Sequence, residues 1–94
     1  MIQLLPQSQT IVPAGFNPTE TIEHLNKYVD KYYCENMSVD ISFMNILDAC
    51  MVSTMCSTKH FTKYPNGKIN WKVSSELVRE FNKDLELGNA SYEL

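Results

Sequence analysis

The chain has 94 residues, 44% hydrophobic and 20% charged, with a net charge of −3. That length supports one domain with a core of moderate size, and the acidic balance argues against a nucleic-acid protein. The basic residues that come closest together, Lys59, His60, Lys63, Lys68 and Lys72, read as a solvated rim rather than a phosphate-binding patch.

The N-terminal stretch lacks a basic start and a long apolar run, so no secretory signal is read there. Asn45, Asp48, Ser53 and Thr54 interrupt the best candidate for a membrane span. Cys34, Cys50 and Cys56 are an odd set without a disulfide-scaffold pattern and fit a reducing cytoplasm.

Residues 2–5 and 9–13 read as one or two short strands, broken near Pro6, and Pro13 to Phe16 as a loop. The first helix has a clear start. Asn17 is a capping residue, Pro18 suits the first helical position, and Glu20 stands where a capping box returns its bond. Ile22, Leu25, Tyr28, Val29 and Tyr32 then recur at helical spacing, with Tyr33 outside that stripe. The helix is expected to end between Cys34 and Asn36.

A strand follows over Ser38 to Phe43, where apolar and polar residues alternate, and Met44 to Leu47 connects it to a second helix. Asp48 is expected to cap that helix, and Met51, Val52 and Met55 to line its inner face. Tyr64-Pro65-Asn66-Gly67 is a turn by composition and order. Lys68 to Val73 alternates again, with Ile69, Trp71 and Val73 on one side. Ser74 or Ser75 caps a third helix with an inner stripe of Leu77, Val78, Phe81 and Leu85. Gly88-Asn89 stops it, and Ala90 to Leu94 forms a last strand.

Strands alternating with helices predict an α/β fold: a small mixed, mostly parallel sheet of four or five strands with three helices. The alternation in Lys68 to Val73 predicts one covered and one partly open sheet face, and an open face with a free terminal strand invites a homodimer.

The low-charge run Val39 to Thr58 carries a family pattern. Asp40-Ile41-Ser42 ends a strand, and Asp48-Ala49-Cys50-Met51 follows at the start of a helix. This resembles STAS domains, the family of the bacterial anti-sigma-factor antagonists, whose members carry Asp-Leu-Ser and then Asp-Ser-Ser-Gly at that spacing. The likeness extends over roughly residues 9 to 94, through Ile11-Val12, the helix after Asn17, the turn at Gly67, Ile69 to Val73, Ser74-Ser75 and Leu87-Gly88. In a second register Asn45 takes the place of the second aspartate.

The resemblance implies a cytoplasmic, non-enzymatic regulatory module with no cofactor or metal. Its protein partner would be of the anti-sigma-factor kinase kind, and Asn45, Asp48, Ala49, Cys50, Met51 and Val52 its partner-binding residues. It also exposes a departure. The family's phosphorylated serine has no counterpart, because Ala49 and Cys50 stand in the serine positions and neither accepts a phosphate ester. Binding without that switch is the expectation.

Other chemistries are weaker in the residues. Cys50 admits two readings, a thiol activated by the first turn of a helix or a small core residue. The first would make the chain a thiol-based redox sensor. Cys56 and His60 share a helix face but fall short of a metal site. Met44, Met51 and Met55 read as core residues, with an adaptable binding surface as the alternative. A small-ligand domain, taking a nucleotide or lipid at the open end of the sheet, is a further alternative.

Overall fold

The computed structural model describes residues 10–13, 17–83 and 88–94. Its elements are β1 (Thr10–Ile11), α1 (Pro18–Lys31), β2 (Asn36–Asp40), α2 (Ile46–Lys63), β3 (Lys68–Lys72), α3 (Glu76–Asn82) and β4 (Ala90–Glu93). The strand expected over 2–5 and the core position Leu85 lie outside the described residues.

The four strands stand in the order β1-β2-β3-β4, and all three pairings are parallel. The fold is therefore the expected small α/β fold with three helices, parallel throughout its described sheet. Each strand is followed by a crossover to its immediate neighbour. Because such crossovers share one hand, successive helices fall on the same side of the sheet. Accordingly α1 packs on α2, and α2 on α3.

Local chemistry explains the boundaries. Asn17 caps α1, accepting from the Glu20 N–H at 2.9 Å, and Pro18 occupies the first turn. Leu25 and Val29 are buried beneath that helix, with Ile22 and Tyr28 packed at the edge of the core. Tyr32 and Tyr33 are exposed.

Period-two patterning aims Met37 and Val39 of β2 and Ile69 and Trp71 of β3 into the core under the helices. The opposite face carries Ser38, Asp40, Asn70 and Lys72.

The strand expected to reach Phe43 ends at Asp40. The Asp40 carboxylate accepts from the Ser42 N–H at 2.9 Å and the Ser42 hydroxyl at 2.6 Å, and the Met44 N–H donates to the Ile41 carbonyl at 3.0 Å. This Asx turn competes with the ladder and turns the chain out of the sheet. Phe43 is left exposed.

The third helix also differs from its expected facing. Ser75 caps it, accepting from the Leu77 N–H at 3.1 Å, and Val78 and Asn82 are its buried residues. Leu77 and Phe81 point outward.

The turn after α2 is closed by the Gly67 N–H donating to the Tyr64 carbonyl at 2.9 Å. A Cβ at Gly67 would lie 2.2 Å from the Glu35 carbonyl oxygen, whose hydrogen bond from the Lys68 N–H starts the β2–β3 ladder. Backbone cannot swing aside as a side-chain tip can. Gly67→Ala is therefore expected to lower stability by about 1–3 kcal/mol, read as a shift in the urea midpoint at constant slope. An unchanged midpoint would show that this approach is looser than described.

Candidate interaction surface

The six residues singled out by the sequence pattern lie at the start of α2. Asn45, not Asp48, is the capping residue. Its Oδ1 accepts from the Asp48 N–H at 2.9 Å, and its Nδ2 donates to the Asp48 carboxylate at 3.2 Å. The helix begins at Ile46, three residues earlier than a cap at Asp48 implies, so Asp48 occupies its third position. A negative charge there complements the positive end of the helix dipole.

That shift decides which side chains reach the surface. Ala49 and Val52 are fully buried and Cys50 nearly so, which leaves these three no side chain to offer a partner. Asn45 and Met51 are exposed and Asp48 is half-buried.

The inner face of α2 is built from Ala49, Val52, Ser53, Cys56, Ser57 and His60. Of the three methionines expected in the core, only Met44 is there; Met51 and Met55 stand outside.

The outward face is apolar. Leu47 is 73% exposed, Met51 50% and Met55 55%, at i, i+4 and i+8 on one ridge. Phe81 of α3, 64% exposed, lies across from them. Leu47, Met51, Thr54, Met55 and Phe81 line a groove of about 260 Å³ between the two helices, with Cys50 and Asn82 also on its wall. Between Asp48 and Lys59 the ridge carries no charge at all. A surface helix normally turns its charges outward, so an uncharged, apolar outer face is a candidate contact surface. Hydropathy spacing puts Met51 and Met55 on the inner stripe of the second helix, Phe81 on that of the third and Leu47 in the connection; the structure turns all four outward.

Burial disfavours the thiolate at all three cysteines, pushing Cys50 and Cys34 up from the ordinary cysteine value and Cys56 up to about 12. Cys50 sits at the fifth helical position, past the free N–H groups that would favour a thiolate. His60 is spent on structure: its Nε2 donates to the Cys34 carbonyl at 2.7 Å across the core. Among the described residues no group of three potential ligands could hold a metal ion.

The basic group does not form one solvated rim: His60 is buried in the core. Lys59 and Lys63 both pair with Asp30 of α1, at 3.6 and 3.5 Å, and Lys68 donates to the Gly88 carbonyl at 3.3 Å. A separate cleft of about 420 Å³ lies along α1, where Tyr28 and Tyr32 meet Ile11 and Val12 beside Lys27 and Lys31. No helix among the described residues is long and apolar enough to cross a membrane.

No family model matches this chain, and neither a curated protein nor a solved structure does.

Two outcomes follow. In the native protein, a disulfide reagent at pH 8 should label all three cysteines at least about tenfold more slowly than in the urea-unfolded chain; fast stoichiometric labelling of Cys50 would restore the thiol reading. The second concerns Asp40. Ser42, through its hydroxyl first and its N–H second, holds the Asp40 carboxyl below the usual range. A depressed carboxylate adds stability above its unfolded value of about 3.9, and that stability is lost as pH falls through the folded value. Asp40→Asn should thus be less stable than the parent at pH 7, with the gap closing below pH of about 4 in urea titrations. A gap independent of pH would separate the turn from the carboxylate's charge.

Proposed function

We propose that this chain is a non-enzymatic protein-interaction module that works through the outer face of α2 and the adjoining flank of α3. The observation that carries this reading is the uncharged ridge of Leu47, Met51 and Met55 facing Phe81 across an open groove. Exposed apolar side chains of that size cost solubility, and a binding partner that removes them from water offsets the cost. Flexible thioethers at the centre suit an adaptable contact.

The STAS resemblance gives the module its finer reading, a cytoplasmic regulator in the manner of an anti-sigma-factor antagonist. A helical layer on one side of a sequentially ordered parallel sheet supports that reading. The residues in the family's serine positions, Ala49 and Cys50, lie buried and carry no hydroxyl. Partner binding is therefore constitutive at this site, without a phosphoserine to change its charge. The cysteines are free thiols, as a reducing compartment would keep them.

Met51→Lys and Phe81→Lys place charges on the face without entering the core. Each should reduce recovery of a captured protein partner at least about tenfold, with circular dichroism and melting temperature unchanged. Lys72→Glu, on the open sheet face, should leave recovery intact. Recovery that survives both helix variants and is lost with Lys72→Glu would move the contact surface to the sheet.

A further inference from the structure

We infer that the occupant of this face is a second copy of the chain, packed as a two-fold dimer with its two α2 helices antiparallel. The inference rests on the reading of α2 as the contact face and supplies the partner.

Exposed apolar surface is the first support. Leu47, Met51, Met55, Leu77 and Phe81 each leave half or more of their surface open, a set of large apolar side chains of the kind that the about 800 Å² per partner of a standard interface covers. Thr54 and Thr58, both uncharged, extend the same surface.

Charge placement is the second, and it selects the geometry. Asp48 and Lys59 close the two ends of the uncharged ridge. At 100° per residue, the eleven steps between them return to within about 20° of the same direction. Lys59 reaches Asp30 of α1, so Asp48 also lies on the α1 flank. A face that is acidic at one end and basic at the other, on one flank, is complementary to its own reversed copy. A two-fold axis running between the two α2 helices, at right angles to them and in the plane of contact, keeps each flank on its own side and reverses the ends. Asp48 of one copy then meets Lys59 of the second copy, twice in the dimer. Met51 meets Met55 by the same operation.

The midpoints of the two pairs coincide near residues 53 and 54. Thr54 stands closest to the axis on the exposed side, and a neutral side chain there opposes itself without repulsion. A parallel two-fold, with its axis along the helices, would instead send each flank to the opposite side, so that Asp48 and Lys59 of the two copies would not meet and no pairing between copies would form.

The test is sedimentation equilibrium of the full chain from low micromolar to several hundred micromolar. The mass should rise from 10.8 kDa toward twice that value. Met51→Lys should raise the dimer dissociation constant at least about tenfold. Asp48→Lys and Lys59→Asp should each weaken the dimer by about tenfold, since each disturbs two symmetric pairs. The double variant should recover to within about threefold of the parent. Asp48 also serves the helix start and Lys59 pairs with Asp30, but combining the swaps repairs neither of those contacts. Recovery therefore reports the contact between copies.

A chain that stays monomeric at several hundred micromolar overturns the inference, as does a double variant no better than the singles. A monomer that still captures a different protein, with capture lost in Met51→Lys, overturns the second copy alone and leaves the contact face standing. A dimer indifferent to Met51→Lys overturns the inference by placing the self-contact elsewhere.

Discussion

The structure depends on the hydrogen bonds made by two serines on the inner face of α2. Ser57 accepts from the Trp71 indole N–H at 2.8 Å, and its carbonyl accepts from Asn89 at 3.0 Å. Ser53 accepts from Asn82 at 2.9 Å while donating to the Ala49 carbonyl at 2.7 Å. Two positions on one helix thus tie down β3, α3 and the residue before β4. Small side chains let the large Trp71 ring pack against α2, the hydroxyls meet the polar demand of the buried indole and the Asn82 amide, and the Ser57 carbonyl meets that of Asn89. A purely apolar α2 face would take these hydroxyl partners from the Trp71 and Asn82 donors, at about 1–3 kcal/mol for a donor left unpaired.

The same arrangement accounts for what was legible in the sequence. Where local rules and burial agree, the reading survives. Asn17-Pro18 with Glu20 opens α1, Ile69 and Trp71 alternate into the core, Tyr64 to Gly67 turns, and Ser75 caps α3. Where burial follows hydrogen-bond satisfaction rather than apolarity, it fails. Ser53, Ser57 and His60 are inside because each has a partner there, while Leu47, Met51 and Met55 are outside. Hydropathy spacing carries no information about partners contributed by distant strands. Asp40 illustrates a related limit: Asp-Ile-Ser continues the alternating pattern, yet its carboxylate bonds two residues ahead and ends β2.

The sheet's second face explains why the exposed apolar surface is concentrated on the helical layer. Parallel sheets are usually covered on both faces, but here the far side is polar. Thr10, Ser38, Asn70 and Ser91 stand in one row across all four strands. Asn70 bridges the row, donating to Ser38 at 3.5 Å and to Glu93, and accepting from Ser91 at 2.8 Å. Side chains that satisfy one another and also face water gain little from a partner. The apolar surface that does gain lies on α2 and α3.

Interior and exterior are therefore coupled through α3. Asn82 is held by Ser53 and by the Tyr92 hydroxyl, at 2.9 and 3.0 Å. With Asn82 and Val78 turned inward, the helical period leaves Phe81 at the edge of the groove and Leu77 one turn before it. On α2, the inward turn of Ala49, Ser53 and Ser57 sends Leu47, Met51 and Met55 outward. The Ser53–Asn82 contact joins the inward faces of the two helices, and their apolar ridges lie along a common groove. The buried polar core does more than hold the domain together: it displaces the apolar side chains of α2 to the surface, where they form the face on which the proposed function rests.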